Sequence, residues 1–147
     1  MKTFKQHITE VGDYVPPSER AGLIPYHTDE NGVTRIALMI PSDPRYGGSS
    51  PQIAKGGVDP GDTRKSTAQK EGEEELGYIH KSSNRLKVLW TNKRFSITYY
   101  YVQVPDMKFK KPHFETKKVV WSEINDSLKI VRDMHREVIV RLIGKLK

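Results

Sequence analysis

Apolar residues along this 147-residue chain fall into two rhythms, short runs bounded by turn residues and longer stretches at helical spacing. Ala21–Tyr26 and Thr34–Ile40 are short apolar runs on either side of Asp29-Glu30-Asn31-Gly32. Asn-Gly favours positive φ, so this segment predicts two strands joined as a β-hairpin. Ser42–Ser50 is rich in Pro, Gly and Ser and reads as a loop. A short strand over Gln52–Gly57 and a turn at Asp59-Pro60-Gly61 follow. From Thr63 to Leu76 strong helix formers dominate without proline, and Gly77 supplies a helix stop. Leu86–Trp90 and Phe95–Val104 read as strands, the second rich in β-branched and aromatic residues, and Val119–Trp121 as a further short one. Val131, Met134, Val138 and Leu142 then predict one last helix, capped at Asp126 or Ser127. Hairpin, helix, strands and helix together describe an α+β or α/β/α layered domain. Tyr14-Val15-Pro16-Pro17 disfavours helix, so residues 1–19 are expected to form an extended arm ahead of one domain over 20–147.

Composition narrows the class. With 35% hydrophobic and 29% charged residues the chain fits a globular domain better than a disordered one. It has no cysteine, which excludes disulfides and thiolate metal sites. No stretch approaches the roughly 18 apolar residues of a membrane helix, and the first residues lack an apolar signal segment. A soluble, cytoplasmic protein with no membrane partner is the expectation. The net charge of +7 either steers phosphate-bearing molecules or serves solubility alone. The five histidines show no metal spacing, although His113 lies close to Glu115, and no Ser or Cys stands in a nucleophile–base motif.

The chemistry concentrates in Gly56–Tyr78, GGVDPGDTRKSTAQKEGEEELGY. At about 100° per residue, Glu71, Glu74 and Glu75 share one edge of the predicted helix, while Ala68, Gly72 and Leu76 form a small or apolar stripe facing the core. Three carboxylates on one edge repel one another and raise one another's pKa. A hard divalent cation would relieve that repulsion and recruit a phosphate ester; an ordinary solvated acidic face is the alternative.

This stretch resembles the Nudix box: a glycine, five residues, a glutamate, seven residues, then Arg-Glu-hydrophobic-x-Glu-Glu-x-Gly-hydrophobic. Gly56, Glu71, Glu74, Glu75 and Gly77 occupy fixed positions of that motif. Asp62 stands where the family has Glu, Lys70 where it has Arg, and Gly72 where it has a hydrophobic residue. The resemblance implies a Nudix-type α/β/α sandwich with a mixed β-sheet, the box as loop-helix-loop, and a C-terminal helix.

It also implies Mg²⁺ or Mn²⁺ held by Glu71 and Glu75 with the Gly56 carbonyl, and Glu74 as a lesser ligand or the base. Glu115, six residues before Trp121, matches a further glutamate in relatives acting on dinucleoside polyphosphates or RNA ends, which would make it an additional metal ligand or the general base; a loop glutamate beside a core tryptophan is the alternative. Lys55 would contact phosphate, Lys70 would pair with and orient a box glutamate, and Arg94 and Tyr46 would wall the substrate pocket. Tyr46, or an aromatic among Tyr99 to Tyr101, could stack on a base, but strand packing is the plainer role for the latter three. Lys108, Lys110, Lys111, Lys117 and Lys118 gather around Glu115 in sequence, and either hold extra phosphates or coat a solvated surface. Arg132 and Arg136 form an i, i+4 row expected to be exposed.

The implied activity is hydrolysis of a diphosphate bond in a nucleoside diphosphate linked to another group. A nucleotide, a dinucleoside polyphosphate and a phosphorylated RNA 5′ end are the candidate substrates. A nucleotide- or RNA-binding module without turnover is the alternative. Members are often dimers, so a homodimer is also compatible.

Overall fold

The computed structural model describes residues 18–147, so most of the arm expected over 1–19 lies outside the described residues. Six strands form one mixed sheet: β1 (Arg20–Thr28), β2 (Thr34–Pro41), β3 (Ala54–Gly57), β4 (Lys87–Asn92), β5 (Ile97–Gln103) and β6 (Thr116–Glu123). Among the described residues three helices accompany it: α1 (Arg64–Leu76), α2 (Ile124–Ile130) and α3 (Asp133–Lys145).

β1 is the hub. One edge runs parallel to β5 from Arg20 to Tyr26. The other edge divides: Arg20–Leu23 pairs antiparallel with β3, and Tyr26–Thr28 pairs antiparallel with β2. β4 and β6 close the two ends of the strand order. The first hairpin forms as its turn residues predict. The Asp29 carboxylate accepts from the N–H groups of Asn31 and Val33, and Gly32 takes φ +82°.

Strand alternation sorts the core into two layers. Ala21, Leu23, Tyr100 and Val102 pack with Ala68 of α1 on one face. Ile24, Ile36, Leu38, Ile97 and Tyr99 pack with Val138, Ile139 and Leu142 of α3 on the other. Helices thus cover both faces, giving the α/β/α sandwich expected from the motif. No helix among the described residues is long and apolar enough to cross a membrane.

Three elements differ from their sequence pattern. The single last helix is two, because Val131 (ψ 154°) and Arg132 (ψ 136°) are extended. That break sends Val131 into the core at 5% exposure and leaves the Arg132 N–H to donate to the Pro51 carbonyl at 2.9 Å. The buried stripe of α3 is therefore His135, Val138, Ile139 and Leu142, and Met134 is only half-buried. β6 runs eight residues rather than three, its first half disguised by Lys117 and Lys118 on an edge strand, where exposed lysines discourage pairing with another chain. Phe95 lies outside β5, exposed in a turn where Ser96 takes φ +53°.

Candidate active site

The helix that carries the glutamates is fixed at both ends and along its inner face. Thr63 and Ser66 form a reciprocal capping box at its start, and the Thr63 oxygen accepts from the Ser66 N–H at 3.0 Å. Gly72 faces Leu23 of β1, and a Cβ at that position would collide with the leucine methyl. One of the three departures from the motif is thus what lets α1 lie against the sheet. At Gly56 the missing Cβ is replaced by the Glu71 carboxyl group. The Lys55 N–H of β3 donates to Glu75 Oε1 at 2.9 Å. Two of the three box carboxylates are therefore seated on β3.

The C-terminal end of α1 delivers a fourth carboxylate. A helix leaves its last carbonyls without intrahelical partners, and here those of Gly72, Glu73, Glu74 and Glu75 are all engaged. Gly77, with φ +77°, donates to Glu73, and Tyr78 N–H donates to Gly72. The loop between β5 and β6 supplies the rest: His113 N–H donates to the Glu74 carbonyl at 2.8 Å and Thr116 Oγ1 to the Glu75 carbonyl at 2.7 Å. Lys110 N–H donates to the Gly77 carbonyl, and its own carbonyl presses where a Cβ of residue 77 would stand. This lacing holds Glu115 where its charge acts on both Glu71 and Glu75.

Burial and mutual repulsion leave Glu71 and Glu75 reluctant to ionise. Glu75 is pushed up to about 8, first by burial and then by Glu71. Glu71 is pushed up to about 6, first by burial and then by Glu74. Among the described residues no three acidic or histidine side chains converge as a ready-made metal cage. Mg²⁺ does not require one, since it commonly binds one or two carboxylates and completes its shell with water and substrate phosphate. Half-buried carboxylates that need a countercharge, one of them lodged against a glycine backbone, fit such an ion.

The cleft that Glu75 and Glu115 line also has a basic wall. The cleft holds about 340 Å³ and is lined by Arg20, Lys55 and Arg132 as well as by the two acids. Neither Arg20 nor Arg132 enters an ion pair among the described residues. The Lys55 ammonium is lowered to about 8, by burial first and then by Arg20 and Arg132. His135, fully buried behind this wall, accepts the Ile53 N–H at Nδ1 and is lowered to about 3 by burial and then by Lys55. It stays neutral and ties α3 to the start of β3.

Several sequence expectations meet in this cleft and others do not. Lys55, Tyr46, Glu75 and Glu115 line it, and Tyr46 is 73% exposed. Arg94 does not line it; it is exposed in the turn between β4 and β5, its guanidinium over Phe95. Lys70 Nζ sits 3.7 Å from Asp59, so its ion pair is with the turn before the helix instead of a box glutamate. Asp62 closes that turn, its N–H donating to the Asp59 carbonyl. Tyr99 and Tyr100 are core residues. Arg132, expected on an exposed helical row, enters the cleft because the helix breaks there. Arg20 carried no sequence signal beyond standing immediately before an apolar run.

The NUDIX domain family model matches residues 20–142. Solved structures agree on the fold. A C. elegans Ap4A hydrolase in a binary complex is 22% identical, covering 87% of this chain and 98% of its own, with a TM-score of 0.70. A Nudix hydrolase from M. smegmatis is 12% identical over 90% of this chain and 88% of its own, with a TM-score of 0.68. The NUDIX domain of Shewanella oneidensis NrtR, complexed with ADP ribose, is 11% identical over 99% of this chain and 100% of its own, also with a TM-score of 0.68. No curated protein sequence matches the chain.

Proposed function

The chain belongs to the Nudix hydrolase family, which cleaves nucleoside diphosphates linked to other groups, and from that premise we propose a Mg²⁺-dependent pyrophosphohydrolase of nucleotide-type substrates. The observation that carries this reading is the mixed lining of one cleft, where Glu75 and Glu115 meet Arg20, Lys55 and Arg132. Such a cleft suits a polyphosphate held between cationic side chains and an acid-bound metal. Mg²⁺ or Mn²⁺, when bound, neutralises the diphosphate and makes water a stronger nucleophile.

Glu71 and Glu75 are the proposed ligands, together with the Gly56 carbonyl. Glu74 or Glu115 takes the proton from the attacking water, and Glu115 serves otherwise as an added ligand. Arg20, Lys55 and Arg132 bind phosphate oxygens and offset charge as the bond breaks. Tyr46, on the exposed lip, offers an aromatic face to a base. Dinucleoside polyphosphates and phosphorylated RNA 5′ ends are the proposed substrate classes, in the cytoplasm. The test is nucleotide or phosphate release from a substrate panel with millimolar Mg²⁺. Metal-dependent cleavage of one class, lost in Glu75→Gln, is expected. No cleavage of any member with Mg²⁺ or Mn²⁺ would favour a nucleotide-binding module instead.

A further inference from the structure

The loop between β5 and β6 and the first half of β6 enclose a second concavity of about 630 Å³. Its floor is aromatic. Phe109 and Trp121 meet edge to face with centroids 5.0 Å apart, and the buried Tyr78, which does not line the groove, packs on Phe109 at 5.9 Å. Phe114 stands at the rim with 85% of its surface exposed. Lys110, Lys111, Lys117 and Lys118 also line the groove, all exposed, and none of them forms an ion pair with another described residue.

The groove and the cleft are adjacent along the chain: Glu75 and Glu115 line the cleft, while their chain neighbours Leu76, Phe114 and Thr116 line the groove. The fold itself gives an exposed phenylalanine and four unpaired ammonium groups no partner. Together they match a ligand that alternates planar faces with negative charges.

We infer that this groove binds a single-stranded polynucleotide that leads up to the carboxylate cluster. Bases stack on Phe114 and on the exposed part of the aromatic floor, and the lysines take the backbone phosphates. A duplex keeps its bases stacked inside and would leave Phe114 without a face to meet. A lipid surface would demand an outward-facing patch, whereas this one is recessed. The inference draws on the proposed hydrolase only for direction, making the end of such a strand the group presented for cleavage.

The test is fluorescence anisotropy of a 12-nucleotide single-stranded RNA, labelled at its 3′ end and carrying a 5′-hydroxyl, with the full chain over a range of salt. Binding is expected. Lys117→Ala with Lys118→Ala should weaken it at least tenfold and flatten the salt dependence by roughly 0.7 in log–log slope for each phosphate that is no longer neutralised. Phe114→Ala should weaken it about fivefold to a hundredfold with the salt slope unchanged. Hydrolysis of small nucleotides should be unaffected in both variants. Absence of binding, equal binding of a duplex, or indifference to both variants would overturn the inference. So would binding to phosphatidylserine vesicles, with the same dependence on these residues, in place of RNA.

Because the 5′-hydroxyl strand has no diphosphate, its binding is separate from turnover, and Glu75→Gln should bind it like the wild type. Binding without any cleavage would sink the hydrolase reading alone. Cleavage of small nucleotides without strand binding would sink the groove alone.

Discussion

The two walls of the cleft are built in opposite ways. The acidic wall rests chiefly on one helix, where Glu75 lines the cleft and Glu71 and Glu74 stand within five residues of it along the chain. The basic wall gathers Arg20 from the start of β1, Lys55 from β3 and Arg132 from the break between α2 and α3. One wall is local and its spacing survives as a motif; the other exists only when distant segments meet. The acidic wall should therefore fail through chemistry, and the basic wall through binding.

The largest effect expected is from Glu75→Gln, which keeps the shape and removes the charge. Turnover should fall by roughly 10²–10⁴-fold with no loss of melting temperature, since Gln reproduces the neutral acid that the fold favours. Steady-state kinetics beside a thermal melt would check both, and a near-normal rate would remove Glu75 from the acidic wall. Arg132→Ala comes next. Removing a charge-assisted hydrogen bond of about 1.5–3 kcal/mol should cost about 10–150-fold in kcat/KM, mostly through KM. A fall confined to kcat would place Arg132 with the acidic wall's chemistry and blur the contrast.

Gly72→Leu, which restores the hydrophobic residue of the motif, should destabilise. The new side chain meets Leu23, and overpacking costs about 1–3 kcal/mol, or roughly 2–12 °C in melting temperature. Adding Leu23→Ala should recover part of that. A stabilised single variant would mean that Gly72 is not holding α1 close to the sheet.

The smallest effect concerns pH. Glu75 is raised from 4.5 to about 8 in the fold, so the folded state holds its proton more tightly than the unfolded one. The stability this adds is present below 4.5 and is lost as pH rises through about 8. Metal-free wild type should lose stability relative to Glu75→Gln over that span, and apparent Mg²⁺ affinity should climb over it as the carboxyl ionises. Parallel melting curves against pH would contradict the buried position of this acid.

How far each wall was legible follows from the range of the forces that make it. Helical periodicity and the Gly77 stop are local, so the edge shared by Glu71, Glu74 and Glu75 could be read directly. Val131 and Arg132 sit in a stretch whose apolar spacing continues a helix, and only burial of Val131 and the Arg132 bond to Pro51 pull them into extended backbone. Lys70 finds Asp59 for a related reason, because the turn before α1 sets which acid lies within its reach. Arg94 and Arg20 were indistinguishable as charges beside strands; Arg20 lines the cleft from β1, where it pairs with Gly57 of β3, whereas Arg94 is exposed in the turn between β4 and β5.

Taken alone, the sequence determined the elements whose causes lie within a few residues: the Asn-Gly hairpin, the capped box helix and the carboxylates spaced along it. Tertiary structure decided the length of β6, the break that brings Arg132 inward, the lacing that carries Glu115 to the end of α1, and which cations face the acids. Each of these depends on hydrogen bonds and buried contacts between segments tens of residues apart, whose partners no local pattern specifies.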